Sequence, residues 1–292
     1  MRGTASPDTG NYPGVHSPRL KAARRLNKRA FCQRERAFLA EGPQAVAEAF
    51  RCGARITDLF VTVHARTRHH DLVAAIAAAG ISVHIVSGEV MDDLAQTVTP
   101  QGLLAVCGFI DVPLAEVAQR ARLAPPTEPA LVALLANVRD PGNAGTVLRT
   151  ADAAGAHAVV FADASVDPYN GKCVRASAGS LFHLPVVAGA RLEDAVVTLR
   201  EAGLRIVAAD SRAGRSLDDP GVQAQLAGPI AWMFGNEAWG LPPELVALAD
   251  EPVAVPIYGR AESLNLAAAA AVCLYASARA QRVQAVTGQD GT

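Results

Sequence analysis

Leu131-Val-Ala-Leu-Leu-Ala136 runs directly into Asn137-Val-Arg-Asp-Pro-Gly-Asn143-Ala-Gly-Thr-Val-Leu-Arg149. An uninterrupted apolar run of this length reads as a strand covered on both faces, as in a parallel sheet. Pro141-Gly142 then predicts a turn, and Asn143 is placed to cap a helix over 144–154. Two more loops repeat the arrangement. Phe234-Gly-Asn-Glu237-Ala-Trp-Gly240-Leu-Pro comes after the apolar run 230–234, and Val255-Pro-Ile-Tyr-Gly259-Arg-Ala-Glu-Ser263-Leu-Asn265-Leu comes after a strand-like 252–257. In open α/β sheets, ligands sit beyond the carboxyl ends of strands, so these three loops are where chemistry is expected.

Working outward, strands are expected at 158–161 and 205–209, and helices at 192–202, 243–249 and 264–280. Toward the N-terminus the same alternation recurs, with strands at 56–63, 81–86 and 102–110 and helices at 44–50, 71–79 and 92–97. It predicts a second α/β unit, again with a largely parallel sheet. Between the two lie Pro113, Pro125, Pro126 and Pro129 around a polar middle, which reads as a linker because proline restricts the chain and removes ladder donors. The expected organisation is a flexible tail at 1–18, a smaller domain at 19–110, a linker at 111–129 and a larger domain at 130–292.

Composition bounds the class. Half of the 292 residues are hydrophobic and 19% are charged, which excludes wholesale disorder and permits a sizeable core. No apolar run reaches the ~20 residues of a membrane span, so no membrane partner is expected. The first fourteen residues carry no apolar stretch and do not read as a secretory signal. Five cysteines, odd in number and never in a CxxC pair, argue against disulfides or a zinc site and fit a reducing cytoplasm. No metal is expected.

Net charge is −1, yet Arg19, Lys21, Arg24, Arg25, Lys28, Arg29, Arg34 and Arg36 face the single acid Glu35, a local +7. Such asymmetry suits an anionic partner such as nucleic acid, and equally a solvated basic helix. Familiar alternatives lack their residues. There is no GxGxxG; Gly171-Lys172 lacks the upstream glycine of a P-loop; no GxSxG surrounds Ser177 or Ser180; and His69-His70 has no third metal ligand at a sensible spacing.

Taken together, in this order and spacing, the three loops resemble the motifs of the SpoU (TrmH) family of RNA ribose 2′-O-methyltransferases, in the SPOUT superfamily. The likeness covers Asn137 to Leu266 and takes in Val166-Asp-Pro-Tyr-Asn-Gly-Lys-Cys-Val-Arg175-Ala-Ser-Ala-Gly179. More loosely, the basic start, Phe38-Leu-Ala-Glu41-Gly-Pro and Thr97-Val-Thr-Pro-Gln101-Gly102 resemble that family's substrate-binding domain, itself similar to certain RNA-binding ribosomal proteins. The resemblance implies a parallel-sheet domain tied in a deep trefoil knot, bound S-adenosylmethionine, and a homodimer formed through the C-terminal domain. By position, Asn143, Arg149, Glu237, Ser263 and Asn265 match the family's polar catalytic set. Ala209, Gly235, Asn236, Ile257, Leu264 and Leu266 would surround the cofactor.

The residue types suit that chemistry. Methyl transfer from a sulfonium to a ribose hydroxyl needs in-line positioning and removal of one proton. A guanidinium stays protonated, so Arg149 is expected to bind the neighbouring phosphate and stabilise developing alkoxide rather than act as a literal base. RNA contacts are expected from Arg24, Arg25, Lys28, Arg29, Lys172 and Arg175. A separate N-terminal domain resembles the ribosomal branch of the family, so 23S rRNA is the expected substrate. A tRNA substrate, or a non-catalytic RNA-binding protein on the same fold, are the alternatives.

Overall fold

The structure, a computed structural model, describes residues 17–289, which divide into two compact units between Gly108 and Phe109. Most of the expected tail lies outside the described residues.

The first unit is a four-stranded sheet with helices. Its strands are β1 (Ala37–Glu41), β2 (Ile56–Thr62), β3 (Ser82–Val86) and β4 (Leu103–Gly108), in the order β1-β4-β2-β3. The sheet is mixed, against the expectation of a largely parallel one. β4 is antiparallel to both its neighbours, and the β2–β3 ladder is parallel. β1 is a strand that the sequence pattern does not predict. It is five residues long, directly follows the basic segment, and is buried at Phe38, Leu39 and Ala40 because it packs on the helix Pro43–Arg51. The basic segment itself folds into two short helices, Pro18–Arg25 and Arg29–Glu35, anchored by buried Leu20, Ala23, Leu26 and Cys32.

The second unit is built on six strands, all parallel: β5 (Leu131–Ala136), β6 (Ala158–Ala162), β7 (Val186–Ala190), β8 (Arg205–Ala209), β9 (Ile230–Phe234) and β10 (Glu251–Val253). Their order is β10-β8-β9-β5-β6-β7, which places β5 and β9 at the centre. Every residue of β5, β6 and β9 is buried, as continuous apolar runs covered on both faces require. Helices Leu114–Leu123 and Leu192–Glu201 pack Val117, Ala118, Leu192, Val196 and Leu199 into the core against Val132, Leu134 and Ile206. The stretch read as a linker is therefore folded, and its prolines bound a helix whose apolar face joins this core. On the helix Leu266–Gln289, Ser277 accepts a 2.8 Å bond from the fully buried Trp232 indole N–H.

Tyr169 secures the start of this unit. Its hydroxyl accepts from Ile110 N (2.8 Å) and Asp111 N (2.6 Å) and donates to Asp111 Oδ1 (2.8 Å), while its ring stacks on Phe109. Burial and the Asp111 carboxylate both push the phenol pKa upward, so it remains a donor at any physiological pH. The five cysteines are free thiols, and burial pushes Cys107 up to about 12, far from a nucleophile's range.

Candidate active site

The loops after β5, β8, β9 and β10 supply the polar groups of the second unit. After β5, Asn137 takes a left-handed conformation (φ 58°), and Asp140 caps the helix Pro141–Ala154. The sequence pointed to Asn143 as the cap. Instead Asp140 Oδ1 accepts from Asn143 N at 2.8 Å, with Pro141 in the first helical turn, where its missing N–H costs nothing. Freed from capping, the Asn143 side chain turns to its neighbours.

Glu237, after β9, gathers this loop. Its carboxylate accepts from Arg139 N (3.2 Å), Asp140 N (3.0 Å) and Asn143 Nδ2 (3.4 Å). Asn143 Oδ1 in turn accepts from Asn265 Nδ2 at 3.1 Å. Asn265 Oδ1 caps the final helix by accepting from Ala267 N (2.9 Å) and Ala268 N (3.4 Å). Ser263, two residues earlier, makes no such cap and is exposed. Three expected residues from three loops, Glu237, Asn143 and Asn265, thus form one hydrogen-bonded chain. Asn236 braces it by donating to Asn137 O (2.9 Å) and accepting from Ala238 N (2.8 Å).

Beside this chain lies a cavity of about 350 Å³. All six residues expected around a cofactor, Ala209, Gly235, Asn236, Ile257, Leu264 and Leu266, line it, together with Glu237 and Ser263. The cavity's geometry depends on Gly235. A Cβ there would stand 2.5 Å from Gly240 O and 2.6 Å from Leu241 N, so the backbone passes where no side chain fits. A lining that mixes apolar side chains with polar groups, and a volume within the usual range for small-ligand sites, suit an adenosine-bearing methyl donor.

The lining residues that the sequence reading did not single out include Asp210, Arg212, Trp239 and Glu262. Arg212 is fixed by Asp210 (3.0 Å and 3.2 Å) and by Leu241 O (2.6 Å). Trp239 is 58% exposed, an unusual cost for a large ring unless something covers it. Of these four, Trp239 and Glu262 stood in a quoted motif, and nothing in spacing marked Asp210 or Arg212.

Other expected residues are placed elsewhere. Arg149 stands about 9 Å further along the helix from Asn143, exposed, without a side-chain hydrogen bond or ion pair among the described residues. Lys172 is bound to Asp140 Oδ2 at 2.7 Å. That bond, with the Asn143 amide, holds the Asp140 carboxyl below the usual carboxylate range. Arg175 sits half-buried on the helix Gly171–Ala176. In the first unit, Arg24 is ion-paired with Asp93, Arg25 lies 4.1 Å over the Phe31 ring, and Lys28 and Arg29 are exposed.

A parallel α/β unit whose strand ends enclose a glycine-floored cavity beside a chain of polar side chains defines a protein with a small-ligand site at its strand ends, and relatives give its chemistry. Residues 130–275 match the SpoU rRNA Methylase family, and residues 39–111 match a model described as RNA 2′-O ribose methyltransferase substrate binding. The 23S rRNA (guanosine(2553)-2′-O)-methyltransferase RlmP of Bacillus subtilis is 32% identical over 88% of this chain and 94% of its own length. An AdoMet-bound rRNA methyltransferase from Sinorhizobium meliloti superposes with TM-score 0.75 at 32% identity, covering 90% of this chain and 95% of that one. The SpoU methyltransferase AviRb from Streptomyces viridochromogenes, in complex with AdoMet, gives TM-score 0.77 at 27% identity over 91% and 99%. The chain belongs to the SpoU rRNA methylase family, and by that membership is an RNA methyltransferase.

Proposed function

We propose that this protein transfers a methyl group from S-adenosylmethionine to a ribose 2′-hydroxyl of 23S rRNA. The observation that carries the reading is the cavity of about 350 Å³ beside the Glu237–Asn143–Asn265 chain, in a protein whose relatives include a 23S rRNA 2′-O-methyltransferase. When bound, S-adenosylmethionine supplies an electrophilic methyl group. Gly235, Ile257, Leu264 and Leu266, which line the cavity, would hold the cofactor, the backbone of the first two by hydrogen bonds and the two leucines by excluding water. Glu237 fixes the loop after β5, and Asn143 and Asn265 orient the ribose. Arg149, free of protein partners among the described residues, would bind the phosphate next to the target and stabilise negative charge on the 2′-oxygen as its proton passes to solvent water, the O–CH3 bond forms and the S–CH3 bond breaks.

The active unit is proposed to be a homodimer in the cytoplasm, with its second unit tied in a trefoil knot. The final helix supports the first part: Val272, Tyr275 and Val283 are exposed along one stripe of it, and a groove of about 630 Å³ runs beside Val272 and Tyr275. Among the described residues, no helix is long and apolar enough to cross a membrane.

The test is methyl transfer from labelled S-adenosylmethionine to 23S rRNA and to total tRNA in parallel, with Arg149→Ala as control. Label on a ribose of 23S rRNA, lost in the variant, is expected. Label in tRNA alone would overturn the substrate.

A further inference from the structure

The first unit holds a concave site of its own, separate from its basic segment. β1 and β2 both run opposite to β4, and β3 runs with β2, so the carboxyl ends of β1, β2 and β3 and the start of β4 meet at one edge of the sheet. A cavity of about 390 Å³ opens there, lined by Thr62, His64, Arg68, His69, Gln101 and Gly102.

Two features show that its shape is specified by the sequence. Gly102 lies at φ +81°, and a Cβ on it would stand 2.5 Å from Thr62 Oγ1 and 2.8 Å from Ala65 Cβ. The floor therefore admits no side chain, whatever the conformation. Across from it, Gln101 Oε1 lies over Gly42 (φ +95°), 3.6 Å from where a Cβ would be.

The rim is unusual for this unit. Arg19, Arg24, Arg34 and Arg51 are all tied to carboxylates. Arg68, His64 and Gln101 make no side-chain hydrogen bond or ion pair among the described residues, although all three are exposed at the cavity. One carboxylate, Asp92, shares the rim, and Pro43, Met91 and Pro100 give apolar wall. An unpaired guanidinium, an unpaired amide and a carboxylate around a dry-walled hollow offer a phosphate site together with donors and acceptors for a base edge.

We propose that this cavity takes one unpaired nucleotide of the RNA substrate, splayed out of its stack, with its phosphate on Arg68 and its base edge against Gln101 and Asp92. The proposal rests on the RNA-methyltransferase reading and adds the element that selects where on an RNA the enzyme docks. The volume suits a single nucleotide and is too small for a duplex, and sequence-specific RNA recognition works on unstacked bases of loops and single strands. The basic segment at 19–36 contributes general backbone attraction, whereas this cavity discriminates.

The test uses the full chain and a labelled single-stranded oligoribonucleotide, compared with the same sequence in a duplex at fixed salt. Arg68→Ala and Gln101→Ala are each expected to weaken single-strand binding about tenfold, as loss of a charge-assisted or buried hydrogen bond does, and to leave duplex binding within about twofold. Both side chains are exposed, so the thermal midpoint should not move. On 23S rRNA, the KM for RNA should rise in both variants while kcat and the KM for S-adenosylmethionine stay put. Equal weakening on single strand and duplex, or no weakening at all, overturns the cavity. Arg68-dependent binding by a wild-type protein that methylates no RNA would instead sink the activity while leaving the cavity standing.

Discussion

Glu237 is the residue on which the site's geometry turns. One carboxylate accepts two backbone amides of the loop after β5 and the Asn143 amide, so it ties three donors to one point. In Glu237→Gln one of the two oxygens becomes a donor and must face an N–H it cannot accept from. The loop then shifts, and turnover is expected to fall about tenfold to hundredfold, since sub-ångström misplacement of a positioning group is costly. The thermal midpoint should change little, because these bonds are exposed. Tyr169 makes the opposite case. Tyr169→Phe removes the acceptor of Ile110 N and Asp111 N. A loss of about 1–3 kcal/mol in stability is expected from chemical denaturation, with the activity of the folded protein retained.

Among elements, two contacts control the second unit. Gly145 lets the helix Pro141–Ala154 lie against Gly171–Ala176: a Cβ would stand 2.7 Å from Ala176 Cβ and 3.0 Å from Ser177 N, with Cys173 O closer still. Gly145→Ala should therefore cost about 1–3 kcal/mol by overpacking, despite alanine's better helix propensity. At the start of β5, His157 Nδ1 accepts from Leu131 N at 3.2 Å, and burial pushes the imidazole pKa below its ordinary value. The folded state thus binds fewer protons than the unfolded chain, so stability present at pH 7.5 is lost as pH falls below about 6.5 toward the lowered folded value. Denaturant midpoints at pH 7.5 and 5.5 should show this loss, and His157→Phe should flatten it. The same elements show what the sequence could carry. Leu131–Ala136 and Ile230–Phe234 were readable because they are apolar throughout, as buried parallel strands are, and run into Asn137 and Gly235; Arg205–Ala209 was readable from its apolar stretch Ile206–Ala209 alone. β1 and β7 were not: Ala37–Glu41 is masked by the charges before it, and Val186–Ala190 ends in small residues with no alternation. The three site loops were legible as loops, but that Asn143 leaves the cap to Asp140 and is captured by Glu237 from the loop after another strand was not. No local spacing encodes that.

The whole molecule is nearly neutral and keeps its excess positive charge in one segment. That segment cannot simply be cut away, because Leu20, Ala23, Leu26 and Cys32 are buried in the first unit and their loss would open its core. The clean experiment replaces charge and leaves the carbon stems: the triple variant Arg25→Gln, Lys28→Gln, Arg29→Gln should lower the salt slope of RNA binding by about two to three units and weaken single-strand and duplex binding alike. A slope unchanged from wild type would assign those residues to solvation alone. The order of strands across the second sheet carries one more consequence. The cavity beside Glu237 draws its walls from loops after β8, β9 and β10 and from the head of the final helix, all of them late in the chain. A polypeptide leaves its ribosome N-terminus first. The first unit is thus on hand early, and the cavity beside Glu237 closes only with the last segment. A half-made copy is in effect a silent tool: it holds the basic segment and the first sheet, and lacks the walls that methyl transfer needs.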